Sequence, residues 1–140
     1  MKPLESKPLA AHQIEVLMAA AREASTRAYA PYSRFHVGAA VLVDDGRVFT
    51  AANIENASYG LTSCAERNAI FAAVSAGARH IVAVAIHTPT ANPVSPCGAC
   101  RQVIHEFGPQ ATVVSCCDGQ GRGQWSVEEL LPGAFGPDHL

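Results

Sequence analysis

The chain has 140 residues, a length that fits a single domain, and 49% of them are hydrophobic, enough to bury a real core. A formal charge of −2 supplies no global basic field of the kind that drives binding to phosphate backbones, so a nucleic-acid partner is disfavoured. Polar or charged residues interrupt the apolar stretches before the roughly 20-residue span of a membrane helix, and Met1 to Ser6 lack a signal peptide's apolar segment; no membrane association is expected and the cytoplasm is the default compartment.

Residues 1 to about 9 carry two prolines and few apolar groups and are expected to form a poorly ordered tail. From Ala10 to Ala28, apolar and small residues recur at helical spacing (Ile14, Leu17, Met18, Ala21, Ala24, Ser25, Ala28), which predicts an amphipathic helix covering a sheet and ended by Pro31. His36 to Val43 reads as a strand. Asp45-Gly46 is a two-residue hairpin signal and Val48 to Asn53 the returning antiparallel strand. In Asn53-Ile54-Glu55 the two polar side chains alternate at period two and so share one face, where they can grip a hydroxyl group. Cys64 to Gly77 is the second predicted helix, with Ser63 or Thr62 as N-cap and Gly77 as stop. Its many alanines leave little bulk on any face, which suits close contact with a sheet on one side and another subunit on the other.

His80 to Thr88 is nearly all apolar, as a strand buried on both faces would be. After the proline-rich loop Pro89 to Pro96 come a helix from Cys97 to Phe107, a stop at Gly108-Pro109 and a buried strand from Ala111 to Cys116; this order predicts parallel neighbours joined by a right-handed crossover. The glycines of Asp118 to Gly123 form a turn without phosphate-loop context. Gln124-Trp125 is a short last strand, and Ser126 with Glu129 is a capping box for a short helix ending at Pro132.

Five cysteines is an odd count, which argues against a disulfide framework and for reduced thiols. Cys116 and Cys117 end an apolar run and read as small buried strand residues. Cys64, Cys97 and Cys100 each stand at or near a predicted helix start. Three thiolates fill three corners of a zinc tetrahedron and leave the fourth for water, the arrangement of a catalytic site rather than a closed structural one. Glu66, two residues after Cys64 on the first turn, is placed to take a proton from that water and return it to a substrate atom. Arg67 follows on the same turn. An arginine at a helix start is ordinarily a surface charge; beside three thiolates it is expected to donate hydrogen bonds to ligand sulfur.

Cys64-Ala65-Glu66 followed by Pro96-Cys97-Gly98-Ala99-Cys100 resembles the Cys₃ form of the signature of zinc-dependent nucleoside and nucleobase deaminases. With Phe35 to Ala40, Asn53 to Gly60 and Arg101-Gln102 added, the chain from about Tyr29 onward is similar to the small homotetrameric cytidine deaminases. That resemblance implies a three-layer α/β/α domain with a central mixed five-stranded sheet. It also implies one zinc per chain and hydrolytic deamination of cytidine, and of 2′-deoxycytidine, for pyrimidine salvage. By the same resemblance Glu66 is the proton carrier, Phe35 packs on the pyrimidine ring, Asn53 and Glu55 hold the ribose 3′-hydroxyl, and only the backbone of Ala65 touches the base. Tyr59 and Phe135 would reach a neighbouring subunit's site, Phe135 as an aromatic lid. Gln102 matches the motif, but its spacing assigns it no role. A redox reading of the C-x-x-C at Cys97 leaves Cys64 and Glu66 unused. A closed site with His36, His80, His87 or His105 lacks zinc-finger spacing. Guanine, blasticidin-type nucleosides and RNA are the alternative substrates; the Asn53/Glu55 pair favours a free nucleoside.

Overall fold

The structure is a computed structural model and describes residues 9–140. The expected N-terminal tail falls on residues 1–8, outside the described residues, except for Leu9, which packs against an apolar cluster. The elements in chain order are α1 (Ala11–Ser25), β1 (Gly38–Val43), β2 (Val48–Ala52), α2 (Ala65–Ser75), β3 (Ile81–Thr88), α3 (Gly98–Phe107), β4 (Thr112–Cys117), β5 (Gly123–Ser126) and α4 (Val127–Leu130), with 3₁₀ turns at Tyr59–Leu61 and Pro137–His139. The strands form one mixed sheet in the order β2-β1-β3-β4-β5, in which only β3 and β4 run parallel.

Strand alternation sends successive side chains to opposite faces, and here both faces are covered. Ala40, Ala83, Ala85 and Val114 meet Leu17, Met18 and Ala21 of α1. On the other face Ala39, Val41, Val84, Ile86 and Val113 meet Ala65, Ala69, Ile70 and Ala73 of α2 and Ile104 of α3. The three layers and five strands expected from the sequence are therefore present. Small residues on β1 let α1 approach closely: a Cβ on Gly38 would lie 1.9 Å from the Ala21 carbonyl oxygen and 2.5 Å from the Ser25 nitrogen. Only glycine fits there.

Three local expectations are corrected. α1 stops at Ser25, short of Ala28, because Tyr29 is drawn into strand-like pairing: its N–H donates to Asn53 O (3.0 Å) and its carbonyl accepts from Glu55 N (2.8 Å). Pro31 lies beyond the end. The β1–β2 turn, Asp44 to Gly46 enclosed by the Val43–Arg47 pair, has three residues rather than two. Gly46 N donates to Val43 O and Val43 N to Arg47 O, both at 3.0 Å, and Gly46 takes the left-handed φ of 93° that closes such a loop. The N-cap of α2 is Cys64 itself, not Ser63 or Thr62. At the other end of α2 the expected glycine stop is found, with Gly77 at φ 101° and Ala78 N donating to Ala73 O (3.0 Å).

Candidate active site

Two helix starts converge beside the C-terminal end of β3, where open α/β sheets bind ligands. The end of β2 fixes the first. Ile54 and Ser63 exchange backbone hydrogen bonds of 3.0 and 2.9 Å, and Asn68 of α2 donates to Ala52 O at 2.9 Å. Cys64 is thereby held as the N-cap of α2, as Cys97 is the N-cap of α3. Neither cap sulfur accepts a hydrogen bond from the backbone N–H groups of its own first turn, so each is free to face away from it while lying in the positive end of the helix dipole.

Cys64, Cys97 and Cys100 bring their sulfurs within 4.8 Å of one another, and Cys64 Sγ to Cys97 Sγ is 3.9 Å. Zinc–sulfur bonds of ~2.3 Å in a tetrahedron set sulfurs about 3.8 Å apart, so the cluster fits zinc, with three soft donors and a fourth position not supplied by this cluster. The protonation pattern agrees with an expected cation. Hydrogen bonding from Cys100, then Arg67, lowers the Cys64 thiol to about 5 against the opposing effect of burial. The hydrogen bond to Cys64, together with burial, pushes the Cys100 thiol up. Thiolate charges at this spacing repel one another, and a bound cation would offset that repulsion.

Glu66 is 5% exposed, and burial, with a contribution from the Cys64 thiolate, raises its pKa above the usual 4.5. A carboxyl whose pKa is raised in this way is better able to return a proton as well as to take one. Arg67 Nη2 donates to Cys64 Sγ at 3.3 Å, as the sequence led us to expect. Its Nε is buried without a hydrogen-bond partner.

A cavity of about 260 Å³ opens onto the cluster, close to the lower bound of about 300 Å³ for small-molecule sites. Phe35, Asn53, Cys64, Ala65, Glu66 and Cys97 line it. Glu55, Tyr59 and Phe135 do not. Glu55 and Asn53 do share a side, and both grip the segment after α1: Glu55 Oε1 accepts from Tyr32 N (3.0 Å) and Ser33 N (3.1 Å), and Ser33 Oγ donates to Oε2. Asn53 Oδ1 accepts from Val37 N (2.9 Å) and its Nδ2 donates to Phe35 O (2.7 Å). Asn53 thus sets the backbone on which Phe35 stands. Tyr59 is 74% exposed and packs edge-on against Tyr32; Phe135 is 59% exposed and stacks on His139.

Sequence reading missed Ile86 and Thr88 at the end of β3 and Val94, Ser95 and Pro96 in the following loop, all of which line the cavity. Strand polarity was the signal available for the first two, since a ligand site lies at the carboxyl ends of parallel strands. It also left Gln102 without a role. Gln102 Nε2 donates to Phe135 O at 2.8 Å and so fastens the C-terminal segment to α3.

Residues 11–116 match the family described as the cytidine and deoxycytidylate deaminase zinc-binding region. A cytidine deaminase of Halalkalibacterium halodurans is 56% identical over 122 residues, covering 86% of this chain and 92% of that one. A cytidine deaminase of Sporosarcina psychrophila is 48% identical over 128 residues, 91% of this chain and 94% of that one. The crystal structure of cytidine deaminase from Burkholderia pseudomallei superposes with a TM-score of 0.84 at 47% identity, covering 91% of this chain and all of that one. With its Cys₃ cluster and buried glutamate inside the matched region, this chain belongs to the zinc-binding cytidine and deoxycytidylate deaminase family.

Proposed function

We propose that the chain hydrolyses cytidine, and 2′-deoxycytidine, to the uracil nucleoside and ammonia, as an enzyme of pyrimidine salvage in the cytoplasm. The observation that carries this is the clustering of three sulfurs at a cavity that Cys64, Cys97 and the buried Glu66 line, in a chain of this family. Cys64, Cys97 and Cys100 hold one zinc ion, which supplies the Lewis acidity that brings water ionisation into the neutral range.

The protein's own groups do the rest. Glu66 takes a proton from the attacking water and passes it to N3 of the cytosine ring, which makes C4 electrophilic. After C4 becomes tetrahedral, Glu66 carries the proton of the new C4 hydroxyl to the exocyclic nitrogen, and ammonia leaves as the C4 carbonyl forms. One carboxyl serves as base and then acid. Burial keeps it away from bulk water, so the protons it moves reach substrate. Phe35 packs on the pyrimidine, the Ala65 backbone contacts the base, and Asn53 with Glu55 holds the ribose 3′-hydroxyl. Each of those two polar side chains keeps unused hydrogen-bonding capacity beyond the bonds it makes to residues 32–37. Arg67 withdraws charge from the Cys64 sulfur, which offsets three anionic ligands.

Tyr59 and Phe135 act on a neighbouring copy in a homotetramer. Their exposure, and that of Leu61 (70%) and Phe71 (48%), supports an assembly that covers them. No helix among the described residues is long and apolar enough to cross a membrane.

The test is ammonia release from cytidine by metal-analysed protein. Release with about one zinc per chain supports the reading; silence with zinc retained refutes it and turns attention to guanine and blasticidin-type nucleosides.

A further inference from the structure

The cavity wall formed by Ser95 and Pro96 belongs to no helix or strand, yet it directly precedes Cys97. Something must hold it. Ser115 of β4 fixes its start: Val94 N donates to Ser115 Oγ at 3.2 Å, and that hydroxyl donates to Val94 O at 2.8 Å. The rest is held from α3 by one side chain. Arg101 Nε donates to Pro96 O (2.7 Å), Nη2 to Ser95 Oγ (2.8 Å) and Nη1 to Leu130 O (2.7 Å) at the end of α4. Three different nitrogens of one planar group thus reach three oxygens, and none of these acceptors is a carboxylate. A charged donor on neutral acceptors makes strong bonds, and the guanidinium's rigid fork fixes their relative directions in a way an ammonium cannot.

We infer that Arg101 is a positioning residue for the substrate cavity: it locks the Ser95-Pro96 wall to the C-terminal segment and thereby sets substrate affinity. The next residue reinforces this, since Gln102 holds Phe135 O and Gly136 is packed so tightly on His105 of the same helix that a Cβ there would lie 2.8 Å from Nε2. α3 therefore carries the wall and the tail as one unit. Cys97 is retained independently, because its carbonyl accepts the α3 backbone bond from Arg101 N (3.0 Å), which no side-chain change removes.

The inference rests on the proposed reaction, so two readouts are needed. In Arg101→Gln, KM for cytidine should rise about tenfold, within the range that small misplacements of a wall produce, while kcat stays within about threefold and zinc remains bound. Arg101→Lys, which reaches fewer of the three oxygens, should fall between. Ser95→Ala should cost less in the Arg101→Gln background than alone, because the two act through one bond. Amide hydrogen exchange of residues 94–97, measured without substrate, should accelerate in Arg101→Gln. Unchanged KM, loss of zinc, or multiplicative effects of the two substitutions would overturn the inference. If the parent chain releases no ammonia from cytidine, the proposed function falls, and unchanged exchange at residues 94–97 then refutes the role of Arg101 on its own.

Discussion

Glu66→Gln separates chemistry from stability, because the two should move in opposite directions. Glutamine keeps the volume of a side chain that is only 5% exposed, so packing against the α2 surroundings is preserved. It cannot carry protons. General acid–base catalysis typically contributes ~10²–10⁴-fold, and turnover should fall by at least that factor, which is about 2.7–5.4 kcal/mol of transition-state stabilisation. Stability follows from the raised pKa of Glu66, caused first by burial and then by the Cys64 thiolate. Below the usual 4.5 the carboxyl is protonated in both folded and unfolded chains and makes no difference. Between that value and its higher folded value the folded state binds more protons, so stability is lost as pH rises through the window. An amide does not ionise and escapes the loss. Metal-depleted Glu66→Gln should therefore melt no lower than the parent at neutral pH, and any gain should shrink as pH falls toward 4.5. Ammonia release on the zinc-loaded pair and thermal melts of the depleted pair read the two halves. Near-parental turnover would refute the proton-carrier role. A melt several degrees below the parent at neutral pH would mean that Glu66 is held for structure.

Other substitutions probe the remaining supports. Arg67→Gln removes the donor to Cys64 Sγ; turnover should fall about tenfold with zinc retained at neutral pH, as is usual for a group that tunes a ligand, and metal analysis beside kinetics checks it. The same change should shift acid release of zinc to higher pH, because Arg67 helps hold the Cys64 thiol near 5 and a weaker depression lets protons compete sooner. Glu55→Gln should raise KM for cytidine more than it lowers the melting temperature. Its carboxylate, kept below the usual range chiefly by the Ser33 hydroxyl, stabilises the fold above its unfolded pKa and loses that effect as pH falls through the folded one. Gly38→Ala should destabilise by about 3 kcal/mol or more, read by denaturant unfolding, because both close neighbours are backbone atoms of α1 and neither can rotate aside.

The first hairpin, the parallel strand pair and the ligands were legible because their signals are local and strong. Apolar runs at His80 and Ala111, with a helix pattern between them, require a parallel pair, and C-x-E with a later C-x-x-C admits few structural settings. The boundaries that were misjudged depend on partners distant in sequence. Helical periodicity runs on past Ser25, and only the competing pairing of Tyr29 with Asn53 and Glu55 ends the helix early. The Ser95-Pro96 wall and its Arg101 tether were invisible for the same reason: three acceptors up to 29 residues away define the role, and a motif containing Cys-Arg-Gln does not encode them.

The choice of cysteine at both helix caps links fold to chemistry. A serine or aspartate there would turn its oxygen back onto the free N–H groups of the first turn and spend its acceptor on helix stability, worth about 1 kcal/mol. Cys64 and Cys97 make no such bond. Each helix gives up that local stabilisation, while its unpaired N–H groups and dipole remain directed at the end where thiolate charge collects. The cost is offset elsewhere: Asn68 pins the first turn of α2 to Ala52 and Ser63, and Arg101 pins that of α3 to Pro96 and Ser95. Both helices thus replace an N-cap with a longer-range tether from their own second turn, and the position freed holds a metal ligand. Replacing Cys97 by serine should accordingly abolish zinc binding while leaving α3 formed, which far-ultraviolet circular dichroism and metal analysis would separate; a variant that loses helix along with metal would mean that the cation, rather than Arg101, organises this end of α3.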